Sequence, residues 1–247
     1  MLILLFLFLL VVPTGVMAGR VIVSESEAHR LGQPDRWLTP VCATCGRELS
    51  LTTAHCRLHR HPQPRRNPVI ILVTVLLFLA MVPAAPSLWV WPAYAVFIGA
   101  SVLLTVTDLD TKLIPNRILG PSIVVGSVLL AGGWLAATES GSLVRALGGG
   151  FAYFAVMYIL ALLARGGLGF GDVKLAFLIG IFAGYLSWGA VVVAGLGGFI
   201  IGGVVSIGLL LARTRGRKDE IPFGPFMTVA GVVAVLWGVQ VISWYSG

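Results

Sequence analysis

Charge is scarce in this chain: Lys, Arg, Asp and Glu make up 11% of its 247 residues, and ten residues are acidic. A soluble domain of this length needs far more charge to cover its surface, so a soluble globular protein is excluded. Cysteine is rarer still. Cys42, Cys45 and Cys56 all fall in one polar stretch, read below as cytoplasmic, where disulfides are rare. No strand-like run precedes Gly167-Leu168-Gly169-Phe170-Gly171, and without a βαβ unit that string is not a dinucleotide fingerprint. The alternation of apolar and polar residues that marks the strands of a membrane barrel is also missing.

Apolar sequence is abundant, at 57% of residues with a mean hydropathy of +0.96. Runs of about 17 to 24 mostly apolar residues, the sixth of them shorter, recur along the chain, about the length needed to cross roughly 30 Å of hydrocarbon as a helix. They lie near 2–18, 69–85, 88–107, 118–136, 146–164, 173–187, 189–212 and 226–244. Backbone in lipid must satisfy its own hydrogen bonds, which leaves helices. The expected fold is therefore all-α: a polytopic membrane protein of about eight transmembrane helices embedded in a lipid bilayer. Residues 1–18 form the first transmembrane helix, 19–68 a small cytoplasmic Cys/His loop, and 69–247 a membrane domain of seven helices.

The basic residues set the orientation, because short cytoplasmic loops retain Lys and Arg during insertion. Arg20, Arg30, Arg36, Arg47, Arg57, Arg60, Arg65 and Arg66 fall between the first two runs. Lys112 and Arg117 follow the third, Arg165 and Lys174 flank the fifth-to-sixth turn, and Arg213, Arg215, Arg217 and Lys218 follow the seventh. With eight alternating spans, sixteen of the 17 basic residues share one face and Arg145 alone lies on the other. Both termini are then outside and the polar loops cytoplasmic. The rival reading, a signal peptide cleaved after Val16-Met17-Ala18, has no basic leading region and would export eight arginines. The net charge of +7 is explained by insertion and anionic headgroups, with no module for nucleic acid beside it.

The 19–68 loop is too short for a substantial core and needs a staple. Cys42-Ala43-Thr44-Cys45 is a knuckle-like turn, and Cys56-Arg57-Leu58-His59 repeats the two-residue spacing. The four side chains make a tetrahedral Cys3His zinc site, structural because no position is left for water. His55 and His61 are alternatives for the last ligand. The plainer alternative is reduced cytoplasmic thiols without metal.

Two aspartates stand at the edges of apolar runs, where a carboxylate is costly and marks function. Asp108 opens Asp108-Leu109-Asp110-Thr111-Lys112-Leu113-Ile114-Pro115-Asn116, and Asp172 closes Gly169-Phe170-Gly171-Asp172. An out-and-back hairpin of two spans lies between them, so both reach one cytoplasmic face although 64 positions apart. Asp110, two residues from Asp108, is about 200° around a helix and cannot face the same partner. Pro115 favours an extended Ile114 and ends the helix there. Gly169 and Gly171 leave room for close approach of a peptide backbone. Two adjacent carboxylates at a dehydrated edge do not both ionise. They share a proton, and one can activate water while the other polarises a peptide carbonyl. The bland alternative is an interfacial Asp108 paired with Lys112 one turn on.

Three segments in order resemble one family: Asp-x6-Pro-Asn from Asp108, Gly-x-Gly-Asp-Val-Lys-Leu ending at Leu175, and Ile221-Pro222-Phe223-Gly224-Pro225-Phe226. They are similar to the bacterial prepilin peptidases, the type IV leader peptidases of the GxGD aspartic class. The resemblance covers most of 69–247. It implies a multi-pass enzyme of the bacterial inner membrane, with its active site facing the cytoplasm, that cleaves the leader of type IV prepilins or pseudopilins. Asp108 and Asp172 take the catalytic positions and Asp110 does not. Gly169, Gly171, Lys174, Pro222 and Gly224 shape the site or meet substrate, although Lys174 also reads as a snorkelling lysine and Pro222, Gly224 and Pro225 as helix breakers. Bifunctional relatives carry two Cys-x2-Cys pairs and N-methylate the new terminus with S-adenosylmethionine. Here the second pair is Cys56-x2-His59 and the usual Gly-Ser-Phe-Leu-Asn-Val stretch is absent, which leaves methylation open. The competing classes are an ion- or proton-coupled transporter, which lacks a visible inverted repeat here, and a noncatalytic part of a pilus or secretion assembly.

Overall fold

The computed structural model describes residues 11–23, 66–137, 141–164, 168–212 and 222–246. Cys42, Cys45, Cys56 and His59 lie outside the described residues, as does Ile221. Every regular element among the described residues is helical: α1 (Val11–Val23), α2 (Arg66–Ala84), α3 (Trp91–Thr111), α4 (Asn116–Ala136), α5 (Leu143–Leu163), α6 (Phe170–Leu186), α7 (Trp188–Leu211) and α8 (Gly224–Ser246). From α2 to α8 each follows one apolar run, with its ends shifted by a few residues.

Four of these helices, α3, α4, α5 and α7, are long and apolar enough to cross a membrane. The apolar stretches in α1, α2 and α8 are shorter, Val11–Val23, Pro68–Ala84 and Gly224–Gly238, and α6 has 17 residues. Eight spans were expected, and four reach full length among the described residues.

Local chemistry explains the helix boundaries. Pro92 sits in the first turn of α3, where its missing N–H costs nothing. Lys112 ends α3 in a left-handed conformation (φ 54°, ψ 31°), and its N–H bonds the Asp108 carbonyl at 2.8 Å. Pro115, extended at φ −72° and ψ 125°, caps α4. Ser142 and Ser187 cap α5 and α7 by accepting from the Arg145 and Ala190 N–H groups at 3.2 and 3.0 Å.

α6 is the central helix and packs against α3, α4, α5, α7 and α8. From Val173 to Tyr185 only Lys174 and Phe177 are not buried, the pattern of a helix with no solvent- or lipid-facing stripe. Small residues bring α5 against it: a Cβ at Gly149 would stand 2.7 Å from the Gly180 carbonyl oxygen, and one at Gly184 2.7 Å from that of Arg145. Aromatic rings seal the α3 side, with Phe97 stacked on Phe182 at 4.8 Å and the Tyr94 hydroxyl bonding the Phe182 carbonyl at 3.1 Å. The outer surface is apolar, with Leu135, Val144, Leu163, Val204 and Leu211 all exposed.

Arg145, alone on its face by charge counting, has a structural task. Its guanidinium donates to the carbonyls of Gly184, Tyr185 and Leu186, each at 2.7 Å. These are end groups of α6 with no partner inside the helix, and a cation there also complements the helix dipole.

Candidate active site

Asp108 lies in the last turn of α3 and is 4% exposed; Asp172 lies in the first turn of α6 and is 9% exposed. The two are close enough for the charge on one to act on the other. Asp110 is exposed, as expected from its angle around α3.

Each carboxylate lies against a glycine at a helix start. Asp172 is the third residue of α6, counted from the Gly169 cap, and its carboxylate turns back to the Gly169 N–H. That is the acidic half of a capping box, at the helix end that favours an anion. Asp108 is at the wrong end of its own helix, among carbonyls. Its carboxylate is instead set against Gly224, the first residue of α8, whose backbone N–H faces it. A Cβ at Gly224 would come within 2.5 Å of Asp108 Oδ2, so the approach requires glycine. Pro222 and Phe223 lead into this turn. Thr228 fixes it by donating to the Gly224 and Pro225 carbonyls at 3.1 and 2.9 Å, and it meets Thr105 of α3 at 2.6 Å.

Ile114 joins the three segments. A Cβ at Gly171 would lie 2.9 Å from its Cβ, and one at Gly224 3.2 Å from its Cδ1. Ile114, the residue before Pro115, is thus wedged between the starts of α6 and α8. Pro115 pointed to an extended Ile114, but no local signal pointed to its neighbours.

Lys174 is elsewhere. Two residues from Asp172 on α6, it points to α4, where Nζ donates to Asn116 Oδ1 at 3.0 Å and lies 5.0 Å from the centre of the Phe170 ring. The structure gathers Asp108, Asp172, Gly169, Gly171 and Gly224 and leaves Lys174 on another side. Among the described residues no group of three or more His, Cys, Asp or Glu could hold a metal.

Asp108 Oδ2 is buried with no hydrogen-bond partner. A buried carboxylate oxygen without a partner is costly, and such groups recur at reactive sites.

The profile of the type IV leader peptidase family matches residues 95–207, which include both aspartates. The chain is 31% identical over 192 residues to the prepilin leader peptidase/N-methyltransferase of Aeromonas hydrophila, covering 77% of this chain and 64% of that protein. It is 30% identical over 205 residues to the protein of the same name from Bacillus subtilis (strain 168), covering 83% and 73%. The chain belongs to the type IV leader peptidase family. Its apolar helices and this membership make it an integral membrane protein. A further family relative, from Aeromonas salmonicida (strain A449), is 30% identical over 73% of this chain and 61% of its own length, so the chain spans about three fifths of the Aeromonas proteins. No solved structure matches.

Proposed function

We propose that this chain is a membrane aspartic endopeptidase that removes the leader of type IV prepilins or related pseudopilins. The observation that carries the reading is the buried pair Asp108 and Asp172, brought together from two helix ends with Asp108 Oδ2 unpartnered. One proton is shared by the pair. The ionised member takes a proton from water, which attacks the scissile carbonyl while the protonated member donates to its oxygen. The protons then return through the same pair to the departing amine, and acid and base belong to the pair rather than to either residue. Gly169, Gly171 and Gly224 leave space for an extended peptide, and Pro222 shapes the rim.

Eight spans, a bacterial inner-membrane location and a cytoplasmic active site are part of the same proposal, supported by the one-sided distribution of Lys and Arg. Cys42, Cys45, Cys56 and His59 are proposed to hold a structural zinc ion, on their spacing alone. N-methylation is the second activity in the names of the relatives, and S-adenosylmethionine is its proposed methyl donor if this chain retains it. It would show in the product as the mass of one added methyl group.

The test is co-expression with a prepilin and intact-mass analysis of the product. Asp108→Asn and Asp172→Asn should each lower leader removal by about three orders of magnitude or more, with protein levels held. Full processing by either variant would sink the dyad.

A further inference from the structure

Lys174 and Asn116 belong to two of the sequence motifs yet lie away from the aspartates, bonded to each other across α6 and α4 at 3.0 Å. Beside them, α4 and α5 leave a cavity of about 390 Å³ over α6. Leu119, Ile123, Phe151, Phe154 and Phe177 wall it. Gly120 also lines it, and a Cβ there would meet nothing within 4 Å. Lys174 and Phe177, the two interruptions in the buried run of α6, are both at this cavity.

The cavity is almost wholly apolar, and Lys174 and Asn116 stand at its edge. Asn116 is the first residue of α4, one of the four full-length apolar helices, so that edge is at headgroup depth and the rest extends among hydrocarbon. The described partners of the Lys174 ammonium, the Asn116 amide oxygen and the Phe170 ring, are both uncharged. They orient the ammonium without neutralising it. An anion attached to a long apolar chain satisfies both parts: the charge meets Lys174 and the acyl chain packs against the aromatic walls.

We propose that this cavity binds an anionic phospholipid, with the headgroup phosphate at Lys174 and Asn116 and one acyl chain between α4 and α5. The inference does not depend on the chain being a peptidase. Lys174 is then a lipid-binding residue, two residues after Asp172 on α6.

The test uses the purified full-length chain in nanodiscs of mixed phosphatidylglycerol and phosphatidylcholine, with native mass spectrometry of the lipids retained after release. The wild type should retain phosphatidylglycerol over phosphatidylcholine by about fivefold, the scale of one basic residue at an anionic surface. Lys174→Gln should bring the ratio near parity, while Lys112→Gln, an exposed cation outside the cavity, should leave it unchanged. Gly120→Leu should lower retention of both lipids by filling the acyl space. Equal retention by the wild type, an unchanged preference in Lys174→Gln, or full retention in Gly120→Leu would overturn the proposal. Inorganic phosphate should not displace the lipid; displacement would mark a plain anion site and overturn the acyl assignment.

Discussion

Asp108 shows how a single carboxylate is kept in an unfavourable place. It ends its own helix among carbonyls, is 4% exposed, and lies against the backbone at the start of another helix. Gly224 makes this possible because it has no side chain. In Gly224→Ala the new Cβ would stand 2.5 Å from Oδ2, so the carboxylate or α8 must move. Overpacking of this kind costs about 1–3 kcal/mol. If that displacement is felt in the transition state, leader cleavage should fall by about tenfold or more. Gly203→Ala on α7, where a Cβ meets nothing within 4 Å, should cleave at the wild-type rate. Initial rates in membranes check both, and equal rates in the two variants would show that the Gly224 approach is not needed. The aspartates and the glycines before Asp172 were legible from the sequence, because charge amid apolar residues and missing side chains are local facts. Ile114 as the wedge between Gly171 and Gly224 was not, because its neighbours come from helices far along the chain.

At the scale of elements, α6 is held by its ends and by small residues along its length. Arg145 fastens the far end through three carbonyls, while Gly169 and Asp172 order the near end. Hydrogen bonds from a charged group contribute about 1.5–3 kcal/mol each when their loss leaves partners unsatisfied. Arg145→Leu should therefore lower the melting temperature in detergent by about 5 °C or more, and Arg145→Lys by less, since an ammonium reaches fewer of the three oxygens. An unchanged melting temperature in the leucine variant would remove Arg145 from the framework. The Cys/His loop makes a separate prediction. The purified chain should contain about one zinc per molecule, and Cys42→Ser or Cys56→Ser should bring the metal content near zero; full zinc content in both variants would rule these ligands out. The apolar runs forecast where helices form, because length and hydropathy are local. They did not forecast that α6, with its polar start and 17 residues, is the central helix, since that depends on which five helices surround it.

For the whole molecule, orientation is the property to measure. Sixteen of the 17 basic residues are assigned to one face, and the exception is the arginine that caps α6. Alkaline phosphatase inserted after Glu139, between α4 and α5, should be active outside the membrane; inserted after Arg215, following α7, it should be inactive. The reverse pattern would turn the protein over and place the aspartates on the other side. The sequence by itself determined that the chain is helical and apolar, because insertion reads hydropathy segment by segment. It also determined which two carboxylates stand apart from the rest. Only the tertiary structure decided that Asp108 meets the start of α8, that Lys174 turns to a cavity rather than to the aspartates, and that Arg145 closes α6. Those outcomes depend on contacts between residues about 40 to 120 positions apart, which packing brings together and no local pattern records.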